Sequence, residues 1–199
     1  MAFVLCALAG GSAAAQQLIK VDDVSSVAQI GRDVDGFTSC GIRTVGLAIS
    51  ATESSAFDFS ILFRADVVGA LGKFGGGTFK NTELIKKRQI PDFKPPAPDT
   101  FWIAASEDDL TAAPINKLQS QTPGFLLVTL SPVKAISIIR AISSGQNMQV
   151  SLKWEGRQYH PVYQFSAPLP PDEQRSLSVC ISSSIEKLKA EAQRSGKDQ

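Results

Sequence analysis

The sequence has no long hydrophobic run after its first 15 residues, little charge imbalance and very little histidine. No later stretch approaches the roughly 20 apolar residues that a transmembrane helix needs, so we predict no integral membrane segment there. The 20 Lys and Arg residues against 19 Asp and Glu residues give a formal net charge of +1. Such a balance provides no global field that would draw nucleic acid to the protein, and we predict no nucleic-acid partner.

Catalytic motifs are also missing. His160 is the one histidine in the chain, and no Gly-x-Ser-x-Gly elbow supplies a serine nucleophile to work with it. Gly72-Lys73 superficially resembles a phosphate-binding loop, but Phe74 stands where a Ser or Thr hydroxyl would reach magnesium. We therefore predict no catalytic residue, no cofactor-binding residue and no cofactor.

The first 15 residues have the pattern of a signal peptide. They contain a short apolar run, and Ala13 and Ala15 supply the small residues that signal peptidase requires. No Lys or Arg precedes the apolar run, so one element of the usual pattern is missing. We predict a signal peptide over residues 1–15 and a periplasmic or secreted protein. The alternative is the buried N-terminal strand or helix of a cytosolic protein.

The cysteines favour the same compartment. Once Cys6 is removed with the signal peptide, Cys40 and Cys180 remain, and an even pair in an oxidising compartment indicates a disulfide. A bonded pair requires Cα atoms about 4.4–6.8 Å apart. The alternative is two free, buried thiols. Two cysteines and one histidine cannot supply the four ligands of a structural zinc ion, so we predict no metal site.

Strand patterns dominate the chain. Phe57, Phe59, Ile61 and Phe63 alternate with more polar residues, which is typical of a half-buried antiparallel strand. The largely apolar residues 40–50 predict a central strand buried on both faces. Residues 16–36 are predicted to be a lead-in with a short helical turn, and the glycine-rich residues 66–80 a flexible hairpin or loop. Further strand predictions cover residues 100–105 and 125–130 and a hairpin over 148–163.

Two segments carry helix signals. Ser131-Pro132 is a strong helix start, and Gly145 is a typical helix stop, which predicts a helix over residues 131–144. Pro171 followed by Asp172 and Glu173 predicts a second helix over residues 171–190. We thus predict an α+β fold, with a mainly antiparallel sheet, two packed helices and one long-range disulfide. Residues 16–199 form one globular domain in this interpretation, with a flexible tail over 190–199.

One basic run, Lys86-Lys87-Arg88, is a candidate for contact with an anionic surface, although such runs are more often a solvated loop edge. With no catalytic constellation, we predict a non-enzymatic exported binding or structural accessory protein, for example one of an envelope or secretion complex, whose partner is a protein. The alternative is a hydrolase acting on an envelope polymer through carboxylates that the sequence does not identify. A deep cleft with acids converging on His160 would count against the first prediction.

Overall fold

The structure, a computed structural model, describes residues 15–34, 36–65, 69–81, 96–105 and 110–195. These ranges contain eleven strands and two helices. The strands are β1 (Ala15–Lys20), β2 (Asp23–Asp33), β3 (Gly36–Ile49), β4 (Glu53–Arg64), β5 (Gly69–Lys80), β6 (Thr100–Ala105), β7 (Leu110–Ala112), β8 (Asn116–Leu118), β9 (Phe125–Leu130), β10 (Met148–Lys153) and β11 (Tyr159–Phe165). The helices are α1 (Pro132–Ser143) and α2 (Pro171–Ser195).

The strands form two sheets. The five-stranded sheet has the order β1-β11-β10-β6-β7, and the six-stranded sheet has the order β2-β3-β4-β5-β9-β8. All neighbours are antiparallel except β1 and β11. Only Val21 and Asp22 separate β1 from β2, so the chain passes from one sheet to the other within two residues. The predicted α+β class, with mainly antiparallel strands and two helices, is confirmed.

The two sheets share an aromatic core. Phe57 on β4 lies 5.2 Å from Tyr163 on β11, and Phe74 on β5 stacks on Phe101 of β6 with centroids 3.5 Å apart. The predicted apolar face of β4 is confirmed, because Phe57, Phe59, Ile61 and Phe63 are all buried. Burial of such rings supplies most of the free energy that holds two sheets together.

Helix α1 packs its apolar side into the same core. Ala135, Ile138, Ile139 and Ile142 are buried. Its start follows the prediction, with Pro132 in the first turn, although the Ser131 side chain makes no capping hydrogen bond. Gly145 has φ +80°, which is the left-handed conformation that ends many helices.

Helix α2 packs against β2 and β3. Leu177, Cys180 and Ile181 form its buried stripe. The Sγ atoms of Cys180 and Cys40 are 2.08 Å apart and their Cα atoms 5.8 Å apart, which confirms the predicted disulfide. The helix continues to Ser195, past the predicted end at residue 190.

Three local predictions are wrong. Residues 16–36 contain β1 and β2 rather than a lead-in with a helical turn, because β2 pairs along its whole length with β3. The glycine-rich segment is strand β5 rather than a loop. A Cβ on Gly76 would lie 2.9 Å from Leu152 Cδ1 of the other sheet, so glycine here permits a close approach of the layers. Strand β3 is not buried on both faces, since its burial alternates from Ile42 onward.

Candidate functional site: an uncovered sheet face

The six-stranded sheet has one covered and one uncovered face. Cys40 and Ile42 of β3 point inward, where the other sheet and both helices contribute to the core. Arg43, Val45 and Leu47 alternate with them and point outward. Because side chains on neighbouring strands in register share a face, the pairings of β2 through β9 identify the remaining outward residues.

Apolar side chains form a cluster among the polar residues of this outward surface. Five large hydrophobic residues on it are between 36% and 71% exposed, although a soluble surface normally carries such residues singly. Half-buried apolar residues on β4, β5 and β9 join them into one patch. We call this patch with its central polar residues the outer sheet face: Val27, Gln29, Arg43, Val45, Leu47, Ile49, Asp58, Leu62, Leu71, Lys73, Leu118, Phe125 and Leu127.

An ion pair lies in the middle of the outer sheet face. Arg43 Nε donates to Asp58 Oδ1 at 3.0 Å, and Arg43 Nη2 donates to Asp58 Oδ2 at 2.7 Å. The hydrogen bonds and the charge of Asp58 raise the pKa of Arg43. A bidentate pair of this kind has fixed geometry and no net charge. It contributes at most about 1 kcal/mol to stability at a partly exposed position, so its main effect is to neutralise Arg43.

Lys73 is the second cation on the outer sheet face. Its Nζ donates to Thr122 Oγ1 at 2.9 Å and lies 4.6 Å from the Phe125 ring centroid. Within the described ranges it forms no ion pair with Asp or Glu. Lys73 is therefore held in a defined position, and among the described residues it has no carboxylate partner.

A shallow groove of about 450 Å³ runs beside these charges. It is bordered by Lys73, Phe125 and the Arg43–Asp58 pair. Gln29, which also lines it, has a buried Oε1 atom with no hydrogen-bond partner. The groove combines apolar walls with a few polar groups, as binding surfaces do. The carboxylate that the described residues contribute to it, Asp58, is bonded by Arg43.

One backbone group at the nearby sheet edge is already bonded. Strand β2 is the outermost strand of the six-stranded sheet. The backbone N–H of Ala28 on β2 donates to Glu173 Oε2 of α2 at 2.7 Å. An edge strand with free N–H groups invites another strand to pair with it. The Glu173 carboxylate occupies one of these groups.

The sequence-predicted residues lie elsewhere. Cys40 and Cys180 form the inward disulfide behind the outer sheet face. Lys86, Lys87 and Arg88 lie outside the described residues. His160 lies on the five-stranded sheet and lines a cavity of about 290 Å³, and the described lining residues include no Asp or Glu. Among residues 15–34, 36–65, 69–81, 96–105 and 110–195, no three His, Cys, Asp or Glu side chains group as a metal site.

The sequence did not predict the outer sheet face, because the sequence of β3 suggests a strand with two buried faces. Its largely apolar sequence indicates burial on both sides, although Arg43 and the alternating Val45 and Leu47 carry the signal of a one-sided strand.

No helix in the described part of the chain is long and apolar enough to cross a membrane. Comparison with known protein families, with curated proteins and with solved structures finds no match for this chain.

Proposed function

We propose that this protein is an exported, non-enzymatic binding protein that holds a partner protein on its outer sheet face. The observation that carries the proposal is the clustering of exposed apolar residues on a sheet face that no other described part of the chain covers. Contiguous exposed apolar surface is costly in water, and it commonly marks an interaction site. The disulfide and the signal-peptide pattern of residues 1–15 support the exported compartment.

The size of the outer sheet face suits a protein rather than a small molecule. Six strands about 4.8 Å apart span roughly 24 Å, and the outward residues of β3 extend roughly 20 Å along the strand. The product, roughly 500 Å² before rim side chains are added, approaches the roughly 800 Å² that each partner buries in a typical stable interface. The groove itself is shallow and lacks the enclosing walls of a small-ligand site.

The charged residues of the outer sheet face indicate which partner surface would complement it. Asp58 neutralises Arg43, whereas Lys73 lacks a carboxylate within the described ranges. A partner surface that is flat and apolar and presents one Asp or Glu opposite Lys73 complements both features. A second copy of this chain is less suitable, because a two-fold contact through this face brings two uncompensated Lys73 side chains into one apolar interface.

Site-specific photo-crosslinking in cells that natively produce the protein tests this proposal. A photoreactive residue replaces Leu47 on the outer sheet face, and a matched control replaces Val179, which is 51% exposed on α2. We expect a discrete heterologous adduct from position 47 and none from position 179. The additional change Lys73→Glu should abolish the adduct, because it places a like charge opposite the partner's carboxylate.

Three outcomes would overturn the proposal: no adduct, the same adduct from both positions, or an adduct with twice the mass of the chain. The third outcome would identify a homodimer instead. Circular dichroism of the Lys73→Glu variant checks that the fold is retained. Export is tested separately by the mass of the native protein, where an intact Met1 with two alkylatable thiols at Cys40 and Cys180 would refute it.

A further inference from the structure

A second site lies on the outward face of the five-stranded sheet. Gln16 of β1 pairs in register with His160 of β11, and Thr100 of β6 pairs with Lys153 of β10. Ser151 of β10 pairs with Val162 of β11, and extension of that antiparallel register by two residues puts Lys153 opposite His160; both residues line the same cavity. These four polar residues therefore form one row across four adjacent strands.

His160 in this row is buried but unsatisfied. Only 6% of its surface is exposed, and its Nδ1 atom has no hydrogen-bond partner. A buried polar atom costs about 1–3 kcal/mol unless water, an ion or a ligand pairs with it. The cavity of about 290 Å³ that His160 lines offers the space for that partner.

The cavity is polar on one side and apolar on the other. Lys153, Thr100 and Ser151 line it with one ammonium group and two hydroxyls, while Trp102 and Phe101 supply aromatic surface. The described residues of the lining include no carboxylate. Burial, followed by the positive charges of Lys153 and Arg157, lowers the pKa of His160. Lys153, which lines the cavity, and Arg157 thus contribute positive charge near His160, and this charge favours an anionic ligand.

We propose that this cavity binds a small monocarboxylate with an aromatic or apolar body. The carboxylate lies between His160 and Lys153, where it satisfies the imidazole and compensates the ammonium charge. The body of the ligand packs on Trp102. A volume of about 290 Å³ lies at the lower end of small-molecule sites, which suits a ligand of roughly ten heavy atoms. The site is independent of the outer sheet face.

The single histidine makes the test specific, because one imidazole signal in a ¹H–¹⁵N NMR spectrum reports only on this cavity. We titrate the full chain with sodium benzoate as the probe, and with sodium acetate and inorganic phosphate for comparison. Benzoate should shift the His160 signals saturably and raise the pKa of His160, because the bound carboxylate stabilises the imidazolium. Acetate and phosphate should cause much smaller shifts at equal ionic strength, because they lack the ring.

Two lysine variants test the contribution of the Lys153 charge to benzoate binding. Lys153→Met should weaken benzoate binding about tenfold, since it removes a charge-assisted contact from an exposed side chain. Lys134→Met, an equally conservative change at an exposed position of α1, should leave binding unchanged. The absence of saturable benzoate shifts would overturn the proposal. Equal responses to benzoate, acetate and phosphate would also overturn it, because they would show a nonspecific anion effect.

Discussion

Cys40 and Cys180 join the middle of a strand to the middle of a helix, with their Cα atoms 5.8 Å apart and 140 positions apart in sequence. The bond attaches α2 to the inward side of β3. On the opposite side of that strand, Arg43, Val45 and Leu47 form part of the outer sheet face. The disulfide thus fixes β3, which contributes more residues to the outer sheet face than any other strand.

Removing this disulfide should destabilise the protein strongly. The chain-entropy model gives up to about 5 kcal/mol for a closed loop of this length. The double variant Cys40→Ser/Cys180→Ser should lose a large part of that amount in its free energy of unfolding in urea. Adding dithiothreitol should destabilise the wild type and leave the double variant unaffected. Equal stability of the two oxidised proteins would show that the bond contributes nothing.

The stacked pair Phe74 and Phe101 connects the two sheets. Both rings are buried, with 0% and 3% exposure. Phe101→Ala should therefore lower the free energy of unfolding by about 3–5 kcal/mol, through lost transfer energy and a new cavity. The control is Val45→Ala on the outer sheet face, where we expect a change below about 1 kcal/mol. Urea denaturation checks both, and comparable losses would contradict the assignment of inward and outward faces.

Glu173 should stabilise the edge strand β2 through its hydrogen bond to the Ala28 N–H. We expect Glu173→Ala to cost about 1–3 kcal/mol, because the bond is charge-assisted and partly buried. Asp172→Ala is a closely matched control. Asp172 also lies in the first turn of α2, so both variants lose a similar helix-dipole interaction, but its side chain is 96% exposed.

The difference in unfolding free energy between these two variants measures the strand contact. Glu173→Ala should also increase aggregation, since it frees an edge N–H group for pairing with other chains. Light scattering during storage at millimolar concentration measures this effect. If the two variants behave alike in both measurements, Glu173 has no role at the edge beyond the helix terminus.

His160 should make the folded protein less stable in acid. Its pKa in the folded state is lowered from the ordinary 6.5 by burial and by nearby cations. As the pH falls below about 6.5, the unfolded state therefore binds a proton more readily than the folded state, and stability decreases. Between about pH 7.5 and pH 5, the wild type should lose more unfolding free energy than His160→Gln. Parallel pH profiles of the two proteins would contradict this expectation.

The two helices and the strands with clear apolar–polar alternation could be predicted, because their sequence signals are local. Pro132 and Gly145 bracket α1, and the alternation of Phe57, Phe59 and Phe63 defines a one-sided strand from residue types alone. Segments whose structure depends on distant neighbours were predicted incorrectly. Strand β5 looks like a loop because of its glycines, and it is a strand because β4 and β9 pair with both of its edges.

The sequence by itself determined the α+β class, the two helices and the pair of cysteines available for a disulfide. Local propensity, capping and cysteine number are properties of short segments or of composition. Only the tertiary structure decided which face of β3 is covered and which cavity His160 lines. Both depend on how strands far apart in the chain align, because a shift of one residue in register would exchange the inward and outward side chains.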